Sequence, residues 1–187
     1  GCAFLFPLDP AATYARLERE EKLPAGAAAK LAAVYAPRMA AMEAAAMDKA
    51  AEYFGGKDKV PFGIRSKDLG KSSGCPFRDQ KQKEGDNYEP GALFLSHVST
   101  RRPPKIVDRA RQPITDMDKV YSGVWAICSL NVYGYNNEGN KGISFGLNNV
   151  QIIADDERLG GGAGGDPDRD FAGNDMFGNV DLADLGI

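Results

Sequence analysis

Two kinds of side chain crowd the middle of this chain: aromatic rings and cations. Tyr121, Trp125, Tyr133 and Tyr135 lie within residues 121–135, and Arg101, Arg102, Lys105, Arg109, Arg111 and Lys141 flank them. Stacking on an aromatic ring is worth on the order of 1–3 kcal/mol per unpaired base, and a cation at a phosphate releases condensed counterions. Residues of both kinds this close together are candidates for a single-stranded nucleic-acid site. Arg101, Arg102, Lys105 and Lys141 are the phosphate candidates, and Tyr121, Trp125, Tyr133 and Tyr135 the stacking candidates. The plainer alternative packs Trp125 and Tyr133 under neighbouring helices and leaves the cations as a solvated face.

The formal net charge of −3 argues against a polyanionic partner only if charge is evenly spread, and it is not. Residues 57–111 carry 13 Lys/Arg against 7 Asp/Glu, whereas residues 154–187 carry 2 against 9. In that acidic end Asp175, Asp181 and Asp184 are interleaved with Phe177 and Ile187. Such a segment can compete with DNA for a basic groove or offer an apolar tip to a partner protein.

Catalysis has little to work with. There is one histidine, His97, in a strand-like run where a structural role is expected, and no G-x-S-x-G, H-E-x-x-H or phosphate-binding loop. Cys2, Cys75 and Cys128 form an odd set without C-x-x-C spacing, so neither a metal site nor a disulfide framework is expected. Cys128 falls on the aliphatic face of a strand, where a thiol behaves as a small hydrophobe. A hydrolase or nuclease would need clustered carboxylates that the sequence does not place together. The expectation is a non-enzymatic protein without cofactor or metal, in a reducing cytoplasm, and no apolar run approaches the ~20 residues of a membrane span.

The elements that must position these residues are legible in outline. The chain opens on Gly1 rather than Met, and residues 2–7 read as a strand caught in its middle, which suggests preceding sequence. Residues 10–54 are rich in Ala, Met, Glu and Lys with apolar positions near helical spacing. Pro24 and Pro37 divide them into a short helix and a longer one ending near Gly55-Gly56. Residues 55–90 read as a long polar loop with short extended pieces, and residues 91–99 as a strand ended by Pro103-Pro104. From residue 123 to 135, Val124, Ala126, Cys128, Leu130 and Val132 alternate with Trp125, Ile127, Ser129, Asn131, Tyr133 and Tyr135, the period of a half-buried strand. Asn136-Asn-Glu-Gly-Asn140 is a hairpin turn leading to strands over 141–145 and 147–153. The run Gly160-Gly-Gly-Ala-Gly-Gly165 is a linker, and the acidic residues beyond it have a disordered peptide's composition. The expected division is one domain over 1–159, with a helical insertion at about 10–54, and a linker with tail over 160–187.

Four stretches carry a resemblance. Ser99-Thr-Arg-Arg-Pro-Pro-Lys-Ile-Val-Asp108, Val120-Tyr-Ser-Gly-Val-Trp125, Asn140-Lys-Gly-Ile-Ser-Phe-Gly-Leu-Asn-Asn-Val-Gln151 and Leu159-Gly-Gly-Gly162 closely resemble a family of phage and prophage proteins. That family was formerly a domain of unknown function and is described as single-stranded-DNA-binding. The resemblance covers about residues 94–171, and the N-K-G-I-x-x-G-L-N-N-V-Q run is its most specific part. It implies an OB-like antiparallel β-barrel; with the N-terminal helical segment and disordered acidic tail read from the residues, the expected fold is mainly β (α+β), and the Ala-rich helical segment is a departure from typical members. The resemblance also implies a protein that coats single-stranded DNA during phage replication and recombination in the bacterial host cytoplasm, with a tail (Asp175, Phe177, Asp181, Asp184, Ile187) that recruits replication or recombination proteins. Oligomerisation is left open. The competing reading is a phage structural or adaptor β-module, whose aromatics are core and whose tail docks another protein.

Overall fold

A computed structural model describes residues 2–65, 74–85, 87–100 and 102–159, without the side chains of Ser96 and His97. Arg101 and residues 160–187, the whole linker and tail, lie outside the described residues.

The two expected helices form. In α1 (Pro10–Arg19) proline occupies the first turn, where its missing N–H costs nothing, and Asp9 Oδ1 accepts from the Ala12 N–H at 2.9 Å. The longer α2 (Ala27–Phe54) runs through Pro37 and stops at Gly55, whose left-handed backbone (φ 80°) glycine adopts without strain. Among its described residues the polar stretch after it contains the short helix α3 (Phe62–Arg65) between two 3₁₀ turns, Lys57–Lys59 and Gln80–Gln82.

Among the described residues six strands make two three-stranded sheets. β1 (Cys2–Leu5) and β2 (Phe77–Asp79) flank β3 (Leu93–Val98) antiparallel. β4 (Lys105–Val107) and β5 (Trp125–Asn137) flank β6 (Asn140–Ala154), with β4 running parallel to β6. The expected break near Gly146 does not occur, so β6 is one strand of 15 residues. The sheets meet at one corner, where the Ser99 N–H donates to Phe145 O at 3.4 Å and the Leu147 N–H donates to Ser99 O at 2.7 Å.

This is a correction to the expected closed antiparallel barrel. Among the described residues β1 and β5 pair on one edge only, and α2 spans the gap between them. Phe4 and Phe6 on one side, and Cys128 and Leu130 on the other, line an apolar cavity of about 190 Å³ beneath Leu31, Tyr35 and Met42. Helical side chains rather than a further strand pairing cover this seam. Two methionines of α2, Met42 and Met47, pack on a core cluster that includes Phe77, Leu95, Val98, Ile143 and Phe145.

Candidate nucleic-acid interface

The outer edge of β6 is paired twice, and the chain between the two pairings makes the site. Ser99 bridges Gly146, and Lys105 pairs with Asn149. The six positions from Ser99 to Lys105 therefore span three on β6, and the excess loops outward. Pro103 and Pro104 have no N–H to give a ladder, which keeps this segment off the sheet. The Thr100 hydroxyl donates to the Arg102 carbonyl and tightens the turn.

Beneath that loop the β5–β6 register slips. Ser129 pairs with Asn149 but Leu130 with Leu147, so Asn148 is skipped and bulges. The result is an open groove of about 710 Å³. One wall carries Ser99, Thr100, Arg102 and Lys105, and the other Asn131 and Tyr133. Asn148 and Asn149 form the floor, and no carboxylate is among the described lining residues. Tyr133 is held by its hydroxyl, 3.0 Å from Ser99 Oγ.

Alternation along β5 places Asn131, Tyr133 and Tyr135 on this polar face, while Leu130 and Val132 face the core. Two glycines of β6 make room for them. A Cβ on Gly146 would come within 2.5 Å of Asn131 Oδ1, and one on Gly142 within 2.5 Å of the Tyr135 hydroxyl oxygen. Tyr135 thus lies low across the strand. Burial and the neighbouring Tyr133 hold its phenol above the usual range.

Of the eight residues singled out on charge and aromaticity, the structure brings Arg102, Lys105, Tyr133 and Tyr135 to one face. Arg101 lies outside the described residues. Lys141 pairs with Asn136, one position before Gly142, so it stands on the opposite face of the sheet.

Tyr121 and Trp125 belong to another place. Trp125 is the first residue of β5, next to a second register slip at which Ile153 of β6 is skipped. Trp125 meets Tyr14 of α1 edge-to-face with ring centroids 6.4 Å apart, and its indole N–H donates to Asp156 Oδ2 at 2.8 Å. Asp156 also takes Arg16 at 2.6 Å and Lys22 at 2.7 Å. Desolvation alone would raise its pKa, but the hydrogen bonds from Arg16, Lys22 and Trp125 outweigh it and hold the carboxyl well below the usual range. The Tyr121 hydroxyl donates to the Asp156 carbonyl at 3.0 Å, and the Arg158 guanidinium covers its ring at 4.3 Å from the centroid. This cluster ties α1 to the end of β6 and leaves neither ring turned toward the groove.

Residues 30–180 match the family model described as Enterobacter phage Enc34, ssDNA-binding protein. The chain belongs to that family. A protein called p50 of Acyrthosiphon pisum secondary endosymbiont phage 1 is 40% identical over 87 residues. That match spans 46% of this chain and 46% of p50, about half the relative's length. Two solved structures are similar. One is the single-stranded DNA-binding protein from bacteriophage Enc34 with a C-terminal truncation, at 14% identity and TM-score 0.47, covering 85% of this chain and 75% of that one. The other is the Enc34 protein in complex with ssDNA, at 15% identity and TM-score 0.45, covering 84% and 72%.

In this Enc34-family chain the groove residues that charge and aromaticity did not single out are Ser99, Thr100, Asn131, Asn148 and Asn149. The paired asparagines sat in plain view in the N-N-V-Q run. What marks them is the bulge at Asn148, and that depends on pairings distant in sequence. Among the described residues there is no group of three or more His, Cys, Asp or Glu placed to hold a metal ion, and no helix long and apolar enough to cross a membrane.

Proposed function

We propose that this protein binds single-stranded DNA without strong sequence preference and without catalysing a reaction on it. The observation that carries the reading is the groove between the Ser99–Lys105 loop and β5, which sets two cations, Arg102 and Lys105, beside the Tyr133 ring with no carboxylate among its described lining residues. Cations there meet phosphates, and Tyr133 and Tyr135 give bases a stacking face. Arg101, adjacent in sequence, is a further candidate phosphate contact. The asparagine amides offer hydrogen bonds that any base edge can use, which suits sequence-tolerant binding. Family membership supports the same reading.

The biological setting that follows is protection of single strands during phage DNA replication and recombination, in the host cytoplasm. The acidic segment with Asp175, Phe177, Asp181, Asp184 and Ile187 would then serve as competitor for the groove and as a hook for replication or recombination proteins.

Anisotropy titration with labelled oligonucleotides tests the reading. Binding of single strands at low salt, weaker binding of duplex and loss of affinity as salt rises are expected; equal affinity for duplex ends the proposal. Removing everything after Gly165 should tighten binding, and unchanged affinity would refute competition by the tail.

A further inference from the structure

At the hairpin end of β6 the sheet meets α3 in a tight junction. The Ile143 N–H donates to Gly74 O at 3.1 Å. A Cβ on Gly74, whose φ is +73°, would stand 2.6 Å from the Lys141 carbonyl oxygen and 2.7 Å from Ile64 Cδ1. Ile64 is buried in one core cluster with Val60 and Ile143, so α3 is pinned by its third residue. Phe62, two positions earlier, is nevertheless 71% exposed, more than any other large apolar side chain among the described residues.

One exposed phenylalanine is ordinary on a protein surface. Phe62 has a setting that is not. Lys59 and Arg65 bracket it and are exposed, and Lys141 stands on the same side of the sheet as Ile143. The neighbouring Asp58 is exposed, with its Oδ1 2.7 Å from the Cβ position of Gly56. The junction adjoins the edge of the groove face at Gly142. Tyr135 lies across Gly142, the Gly142 Cα is 3.1 Å from the Cβ position of Gly74, and Gly74 abuts Ile64.

We infer that Phe62 is a second stacking platform for single-stranded DNA, with Lys59, Arg65 and Lys141 as its phosphate contacts, on the continuation of the strand past Tyr135. The inference rests on the groove being a single-stranded-DNA site. It gives Lys141 its place: the residue serves the strand beyond the hairpin rather than inside the groove. The footprint is then longer than the groove alone would hold.

The test compares oligothymidylates of about five and about twenty nucleotides, lengths that bracket the footprint of a single small binding domain. Phe62→Ala should weaken the long oligonucleotide about tenfold and leave the short one unchanged. Phe62→Trp should restore it, and Lys141→Ala should lower the salt slope for the long strand alone by about 0.7. A long strand carrying 5-iodouracil should crosslink to the peptide that contains Phe62. Tyr133→Ala, by contrast, should weaken both lengths. Equal affinity of wild type and Phe62→Ala for the long strand overturns the inference, as does equal loss at both lengths or absence of the crosslink. If Tyr133→Ala changes neither length, the groove reading itself has failed.

Discussion

The Ser99 Oγ lies 3.0 Å from the Tyr133 hydroxyl, joining the residue where the two sheets meet to the aromatic ring at the centre of the groove. Ser99 is itself fixed, because its backbone N–H and carbonyl are both spent on β6. In the proposed single-strand site the contact presets a ring that would otherwise have to be ordered on binding. Tyr133→Ala should cost about 1–3 kcal/mol of binding, the worth of one stacked base. Tyr133→Phe keeps the π-face and loses only the tether, so its deficit should be about 0.5–1.5 kcal/mol, and Ser99→Ala should reproduce it. Titration of the three variants with one oligonucleotide checks this. If Tyr133→Phe were as weak as Tyr133→Ala, the hydroxyl rather than the ring would be the binding group.

Arg102 and Lys105 sit on opposite ends of the proline pair and project over one groove. As phosphate contacts each should account for about 0.7 of the slope of log affinity against log salt. Arg102→Gln and Lys105→Gln should each lower the slope by that amount at unchanged thermal stability, and the double variant by about twice as much. An unaltered slope would place the DNA elsewhere.

How much of this was legible in the sequence depended on how local the determinant was. Proline and glycine marked the ends of α1 and α2, and strict alternation marked β5, because each depends on residues close in the chain. Hidden were the three-residue β4, which has meaning only as the parallel partner of β6, and the seam that α2 rather than a strand covers. The sorting of the aromatics was hidden too. Trp125 and Tyr133 share a parity on paper, and only partners distant in sequence, Tyr14 and Asp156 for one and Ser99 for the other, separate them. The Asp156 cluster could not be read at all, since Arg16 and Asp156 lie 140 positions apart.

The three cysteines differ in accessibility in a way that labelling can read. Cys2 is exposed, Cys75 is buried and Cys128 lines the apolar cavity under α2. Burial, with the nearby Cys2 sulfur, pushes the Cys128 thiol up to about 12. The reactive thiolate is then negligible at pH 8. Iodoacetamide under native conditions should modify Cys2 first, with Cys75 and Cys128 modified only as the chain unfolds. Mass mapping of the alkylated peptides over time reports the order, and early modification of Cys128 would contradict the packing of α2 across the seam.

Asp156 gathers Arg16, Lys22 and the Trp125 indole, and its side chain is only 13% exposed. Breaking a buried pair costs about 3–5 kcal/mol and an exposed one about 0–1 kcal/mol. With Arg16 36% and Lys22 30% exposed, Asp156→Asn should lie between, near 2 kcal/mol, or about 4–8 °C in Tm for a domain of this size. The same carboxyl gives a pH signature. Its folded pKa is depressed, so it contributes stability above its unfolded value near about 4 and loses that contribution as the pH falls toward the folded value. The stability gap between wild type and Asp156→Asn should be constant from neutral pH down to about 5 and shrink below about 4. Trp125 is the only tryptophan, so its fluorescence during denaturation follows this corner of the fold directly. A gap that persisted undiminished at pH 2.5 would mean that the ion pairs contribute nothing and that the amide merely packs badly.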